Sequence, residues 1–188
     1  MIIDVIDATD PEIASGVPAL LSGLNVNSTQ LTFNSMCNGV GQLLVNVQGV
    51  ANAGDIDVLR IWAHGMPGAQ MVSGGQGYPG ARNDYVAITA DTYTVLAPLA
   101  PLFSPSGWAE LRGCEVGAGQ AGGALLLDLA SMWNVPVYGG EEDQYSEDWS
   151  GPVVCAMPSG AISTQTTGPS IADSNTTTPY STDPNSGS

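Results

Sequence analysis

Residues 108–130 constrain the fold more than any other stretch of this chain. The segment from Trp108 predicts a buried strand ending at Cys114, followed by a glycine-rich turn and an apolar helix over 123–133. In open α/β sheets, ligands and catalytic groups collect at the carboxyl ends of the strands, which is where Cys114 falls. Because the N-terminus of a helix follows, we expect the pKa of the Cys114 thiol to be lowered.

A second stretch has the same layout. Consecutive apolar residues over 56–63 predict a central strand, and His64-Gly65 follows directly. His64 is the only histidine of the chain. Two strands of one sheet ending in His-Gly and Gly-Cys place a base and a thiol at the same edge, as a Cys-His nucleophilic pair requires.

The rest of the chain alternates between strand and helix patterns. Further strands are expected at 2–6, 31–33, 70–72, 84–88, 135–138 and 152–156, and helices at 11–24, 34–53 and, capped by Asp91, 91–102. Residues 104–107 are expected to form a turn, and Asn134 to cap the helix over 123–133. This order predicts an α/β fold, a three-layer sandwich with a mainly parallel central sheet.

The charge of the chain excludes two classes of partner. There is no lysine, and three arginines face 18 acidic residues, for a formal net charge of −15. Nucleic acids and anionic membranes both require a positive surface, so neither is expected as a partner. No apolar run reaches the roughly 18 residues of a transmembrane helix. The first residues carry acids and no basic region, so we expect no signal peptide here.

Cysteine usage and composition bound the domain. Cys37, Cys114 and Cys155 are an odd number without paired spacing, which fits neither a disulfide framework nor a zinc site. Cys37 and Cys155 are expected to be small buried apolar residues. From 158 the chain turns to Ser, Thr, Pro and Asn, so we expect a folded domain at 1–157 and a disordered tail or linker at 158–188.

The two motifs together resemble the caspase-like (clan CD) cysteine peptidases, most closely a bacterial caspase-like domain of poorly defined function. The matching segments are 62–68, Trp-Ala-His-Gly-Met-Pro-Gly, and 111–117, Leu-Arg-Gly-Cys-Glu-Val-Gly, continued by Gly122-Gly123. The resemblance covers roughly residues 1–140. It implies a thiol peptidase, a hydrolase of peptide or protein substrates, with Cys114 as nucleophile and His64 as general acid–base. It also implies an oxyanion hole made by the N–H groups of Gly65 and Cys114.

Substrate preference is a further expectation. Family members line their specificity pockets with residues that flank the catalytic strands, where this chain carries Asp84, Glu141, Glu142 and Asp143. Carboxylates there favour cleavage after Arg or Lys, and the alternative is a solvated acidic loop. No cofactor or bound metal is expected, although some relatives are activated by calcium. The acidic side chains at 141–143, 147 and 148 offer the hard oxygen ligands that calcium prefers.

Two other functions stay open. Residues 117–122, Gly-Ala-Gly-Gln-Ala-Gly, match the G-x-G-x-x-G fingerprint before a helix, with Glu141 at the distance of a ribose-binding acid. This pattern indicates a dinucleotide- or phosphate-binding domain. Against it, residues 112–115 intervene between the strand and the fingerprint. The third function is a non-catalytic caspase-like module for protein interaction.

Overall fold

The structure, a computed structural model, describes residues 1–33, 39–72, 86–144 and 149–172. The strands are β1 (Ile2–Asp7), β2 (Ser28–Phe33), β3 (Ile56–Trp62), β4 (Gly65–Met66), β5 (Ala69–Met71), β6 (Ala87–Ile88), β7 (Phe103–Leu111), β8 (Val137–Gly140), β9 (Val153–Ala156) and β10 (Ile162–Gln165). The helices are α1 (Pro11–Gly23), α2 (Gly39–Val50), a 3₁₀ helix (Tyr93–Leu102) and α3 (Gly119–Trp133).

Seven strands form one central sheet in the order β10-β9-β8-β7-β3-β1-β2. The five strands from β2 to β8 in this order are parallel to their neighbours, whereas β9 pairs antiparallel with β8 and β10 with β9. A small antiparallel sheet of β4, β5 and β6 follows β3. The chain is therefore an α/β protein with a mixed, mostly parallel sheet, as its alternating pattern predicts.

Helices cover both faces of the central sheet. Buried side chains of α2, the 3₁₀ helix and α3 form the main apolar core with one face. Val17 and Leu21 of α1 pack with Ile6 and Trp62 on the other face. This arrangement is compatible with the predicted three-layer sandwich. The carboxyl ends of the parallel strands β1, β3, β7 and β8 lie at one edge of this sheet.

Local sequence signals explain where two of these helices begin and end. Asp10 is the N-cap of α1, accepting hydrogen bonds from the N–H groups of Glu12 and Ile13, and Pro11 occupies the first helical position. At the other end of the fold, α3 stops at Asn134, whose φ of 57° is left-handed. The predicted cap at Asn134 is confirmed.

Three local predictions are wrong. Strand β7 ends at Leu111, so Cys114 lies in the following turn and not on the strand. Residues 104–107 belong to β7, where a register shift between Ile56 and Val58 of β3 accommodates them, and they form no turn. The helix predicted after Asp91 is a 3₁₀ helix with Thr92 at its N-cap, because Pro98 and Pro101 lack the N–H groups of a regular α-helix.

The folded region extends past the expected boundary at 157. Residues 162–165 form β10, which pairs with β9, and Ile171 is buried with Trp62 and the apolar residues of α1. Polar composition misled the prediction because an edge strand needs a backbone ladder and few apolar side chains. The expected tail therefore does not begin before 173, and residues 173–188 lie outside the described part of the chain.

Some predictions fall on residues outside the described ranges. These are Cys37, Asp84, Glu147, Asp148 and the start of the helix predicted from 34. Within the described ranges, every helix is too short or too polar to cross a membrane.

Candidate functional site

A cavity of about 330 Å³ opens where β1, β3, β7 and β8 end. Its lining consists of Asp10, Glu12, Ile13, Val17, Trp62, Ala63, His64, Arg112, Cys114, Asp143 and Gln144. The two predicted catalytic side chains, His64 and Cys114, are both among these residues. They reach the cavity from different loops, His64 from the end of β3 and Cys114 from the turn after β7.

His64 is held by a carboxylate. Its Nε2 lies 2.8 Å from Oδ2 of Asp10, and the His64 side chain is 46 % exposed against 18 % for that of Asp10. Burial alone raises the pKa of Asp10. Hydrogen bonds from His64 and from the N–H groups of Glu12 and Ile13 outweigh that effect, so the pKa lies below its ordinary value. Asp10 therefore stays ionised at neutral pH.

The Cys114 thiol has a different set of partners. Its Sγ accepts a hydrogen bond from the N–H of Gln144 at 3.3 Å and lies 3.5 Å from the carbonyl oxygen of the same residue. Burial raises the pKa of the thiol, the Gln144 N–H partly offsets this, and the nearby Asp143 and Glu115 carboxylates raise it further. The expected lowering of this pKa is wrong, because burial of the thiol and the nearby carboxylates raise the pKa, while α3 begins only at Gly119.

The two loops touch through glycines. A Cβ on Gly65 would collide with Val116 and lie 2.7 Å from the carbonyl oxygen of Cys114. A Cβ on Gly113 would lie 2.9 Å from Cα of Gly65. Real side chains do not approach so closely, so glycine is required at both positions. The backbones of Gly65 and Cys114, the predicted oxyanion donors, therefore lie side by side.

A buried amide ties the same loops together. Gln70 is fully buried, and its Oε1 accepts a hydrogen bond of 2.9 Å from the N–H of Gly113. Its Nε2 donates to the carbonyl oxygen of Met71 at 3.0 Å and, more weakly, to that of His64 at 3.5 Å. The Gln70 side chain on β5 thus fixes the glycine before Cys114 relative to β5 and to the backbone of His64.

The predicted acidic residues separate into different places. Asp143 lines the cavity beside Cys114. Glu141 and Glu142 do not line it, and their backbones bond to Pro152 and Glu115 instead. Asp84 lies outside the described residues. Of the described substrate-binding candidates, only Asp143 is in position to meet a ligand in this cavity.

Arg112 brings a cation to the cavity, but it is already paired. Its Nε donates to Oε2 of Glu110 at 2.8 Å, and its guanidinium carbon lies 3.8 Å from the ring centroid of Trp149 and 5.1 Å from that of Trp62. Stacking and ion pairing fix the planar guanidinium as part of the wall. Since Glu110 balances its charge, the cavity stays acidic through Asp10, Glu12 and Asp143.

Two of the three glycines of the G-x-G-x-x-G pattern, Gly117 and Gly122, are required by internal packing, whereas Gly119 has a φ of 61° and a Cβ added there would meet nothing within 4 Å. A Cβ on Gly122 would lie 2.6 Å from the carbonyl oxygen of Gly117. The N–H of Gly117 donates to Gly140, and that of Gly122 donates to Ala118. A phosphate cradle needs such N–H groups to be available. The packing of Gly117 against β8 and of Gly122 against Gly117 gives these two glycines another explanation.

Among the described residues, no three His, Cys, Asp or Glu side chains are grouped as metal ligands would be. The calcium hypothesis depends in part on Glu147 and Asp148, which lie outside those residues.

Three residues of the site carry no sequence signal that singled out a role for them. Asp10 directly precedes Pro11, a pattern that marks a helix N-cap but does not reveal the contact with His64. Glu12 follows in the first turn of that helix. Gln70 lies in a short apolar stretch, where a buried amide needs partners that only the fold reveals.

Fold and site together define a class: an α/β protein with a thiol, an imidazole and carboxylates in one cavity at the carboxyl edge of its sheet. Comparison of the chain with protein-family models, with curated proteins and with solved structures finds no match.

Proposed function

We propose that this chain is a cysteine peptidase, or a self-processing domain of the same chemistry, with Cys114 as nucleophile and His64 as general acid–base. One observation carries the proposal: the two side chains reach the same cavity from adjacent parallel strands, and their loops pack glycine against glycine. This is the arrangement of a nucleophile and a base at a strand edge.

Because burial raises the pKa of the Cys114 thiol, the nucleophile is protonated before the reaction. Cys114 begins as a thiol, and His64 takes its proton as Sγ attacks the carbonyl carbon of the peptide. The proton then passes to the leaving amine as the C–N bond breaks, which leaves a thioester on Cys114. Water attacks the thioester, giving its proton to His64, and the thiol re-forms as the acid product leaves. N–H groups of Gly65 and Cys114 are the proposed donors to the oxyanion in both steps.

The charge of the cavity supports a basic residue before the cleaved bond. Asp10, Glu12 and Asp143 line it, while Arg112 is neutralised by Glu110. A cationic side chain entering there gains favourable electrostatic interactions, and an acidic one is repelled. Asp143 is the candidate for direct contact with that side chain, because it also lies beside Cys114.

The test is hydrolysis of a peptide panel that varies only the residue before the cleaved bond. We expect cleavage after Arg or Lys, none after Asp, and loss of cleavage in both Cys114→Ala and His64→Ala. Asp143→Asn should weaken the preference for cations, whereas Glu141→Gln, outside the cavity, should not. Cleavage that persists in Cys114→Ala contradicts the proposal, and cleavage only after Asp contradicts the specificity.

A non-catalytic interaction module is the second candidate. The observation that favours it concerns the partners of the two side chains: among the described residues the thiol bonds to Gln144 and Asp143, and the imidazole bonds to Asp10. Such a module binds a peptide in the cavity without cleaving it. Peptide affinity that is equal in wild type and Cys114→Ala, with no product formed, is the result that favours this candidate.

A further inference from the structure

We infer that Asp10 is a positioning residue for His64: it holds Nε2 of the imidazole, so that Nδ1 is the ring nitrogen that exchanges a proton with Cys114. This inference rests on the proposed Cys-His chemistry and adds a third group to it. Asp10 follows β1, whereas His64 follows β3 and Cys114 follows β7, so three segments from three strand ends converge on one cavity.

The Asp10 carboxylate is itself held in place. Oδ1 accepts hydrogen bonds from the N–H groups of Glu12 at 2.7 Å and Ile13 at 3.2 Å. Oδ2 then lies 2.8 Å from Nε2 of His64. A side chain bonded at one oxygen to the first turn of a helix has little freedom to turn, so the other oxygen presents a fixed acceptor to the imidazole.

The hydrogen bond has a chemical consequence for the ring. A carboxylate only accepts hydrogen bonds, so a neutral His64 bonded to Asp10 must carry its proton on Nε2. Nδ1 then has the lone pair needed to take the Cys114 proton. When His64 is protonated during the reaction, the ionised Asp10 stabilises the imidazolium. The other charged groups lining the cavity are Glu12, Arg112 and Asp143.

Two substitutions separate this role from helix capping. Asn and Ser are both good N-caps, so Asp10→Asn and Asp10→Ser should retain the start of α1 and a melting temperature close to that of wild type. Asp10→Ser is too short to reach His64. Asp10→Asn reaches it but offers an N–H donor to Nε2, which stabilises the opposite tautomer.

The sole histidine of the chain makes a direct spectroscopic test feasible. Nitrogen-15 NMR of the intact chain at a pH where the ring is neutral reports which nitrogen of His64 carries the proton. We expect Nε2–H in wild type, a mixture of both tautomers in Asp10→Ser and an increased share of Nδ1–H in Asp10→Asn. An unchanged tautomer in both variants overturns the inference.

Reactivity of Cys114 gives the second measurement. In the folded variants, we expect Asp10→Asn to lower the His64-dependent rate of Cys114 alkylation near neutral pH by about 10²-fold, the order typical of a lost general base. A rate equal to wild type overturns the role of Asp10 alone, provided that His64→Ala still lowers it. If His64→Ala has no effect either, the Cys-His pair and the proposed function fail.

Discussion

The two faces of the central sheet carry different kinds of side chain, apolar on one face and largely charged or polar on the other. The face under α2 and α3 is an apolar core of aliphatic side chains such as Leu59, Ala109 and Leu111. The face under α1 carries a row of side chains that runs across four strands in register, namely Asp4, Arg60, Glu110 and Tyr138. Asp4 and Arg60 are fully buried and form a two-point ion pair at 2.7 and 3.0 Å.

The difference indicates which face supplies the site. Burial of aliphatic surface on the apolar face stabilises the fold without directional requirements. The polar face instead orients groups: Asp4 also accepts a hydrogen bond from Nε1 of Trp62, and Glu110 holds Arg112. Trp62 follows Arg60 by two residues at the end of β3, Arg112 follows Glu110 by two residues just past the end of β7, and both line the cavity. The polar row thus forms the foundation of the candidate site.

Breaking the buried ion pair is expected to have the largest effect. Asp4→Leu removes the carboxylate that binds the buried Arg60 guanidinium at two points, which should cost about 3–5 kcal/mol of unfolding free energy. The double variant Asp4→Leu/Arg60→Met should cost less than this single change, since it removes the buried guanidinium together with its carboxylate partner. Urea denaturation of both variants measures the difference. A double variant less stable than Asp4→Leu contradicts the ion-pair account of this face.

The apolar face should respond in proportion to the volume removed. Leu59→Ala deletes a fully buried side chain from the core and should cost about 2–5 kcal/mol. Leu59→Met, which keeps the volume, should cost less than about 1.5 kcal/mol. Urea denaturation of both Leu59 variants measures these costs in unfolding free energy. If the two substitutions are equally destabilising, cavity formation is not what governs stability on this face.

The contact between the loops that carry Gly65 and Gly113 should not tolerate an added methyl group. Gly113→Ala places a Cβ 2.8 Å from Oε1 of Gln70 and 2.9 Å from Gly65, so it should cost about 1–3 kcal/mol and displace the turn that carries Cys114. The matched control is Gly49→Ala, near the end of α2, which meets nothing within 4 Å. That change should stabilise by about 0.5–1 kcal/mol. Equal effects on stability contradict the close packing.

The smallest expected effect is a shift in reactivity with pH. Burial raises the pKa of the Cys114 thiol above its ordinary value, and Asp143 raises it further by charge and by hydrogen bonding. Asp143→Asn removes the charge, so the thiol should ionise and react with iodoacetamide at a lower pH than in wild type. Glu115→Gln should shift the profile less, and Glu141→Gln not at all. An Asp143→Asn profile that moves to higher pH contradicts this assignment.

The sequence predicts the strands well because apolar runs such as 56–63 are long and sharply bounded. The positions of His64 and Cys114 in one cavity follow from that order, since parallel strands place their ends at one edge. Arg60 is different. Its position inside a predicted buried strand signals a partner, but the partner lies on β1 and is found only through strand register. The same holds for Asp10, whose local pattern indicates a cap and whose contact with His64 spans 54 residues of chain.

The pKa of Cys114 shows why local reasoning fails for electrostatics. Sequence places a helix after the cysteine, and a helix N-terminus favours a thiolate. The described structure puts the start of that helix at Gly119 and brings Asp143 to the thiol from a loop nearly thirty residues later. Burial of the thiol, with a further contribution from the Asp143 carboxylate, gives the pKa a shift opposite in sign to the expected one.

The most direct test of the central claim is alkylation of the native chain with iodoacetamide across pH, with the modified cysteine located by mass spectrometry. We predict that Cys114 reacts in preference to the buried Cys155, with a component near neutral pH that depends on His64. In His64→Ala only the alkaline reaction should remain, because the thiol pKa is raised. A Cys114 profile identical in wild type and His64→Ala contradicts the nucleophile–base pair.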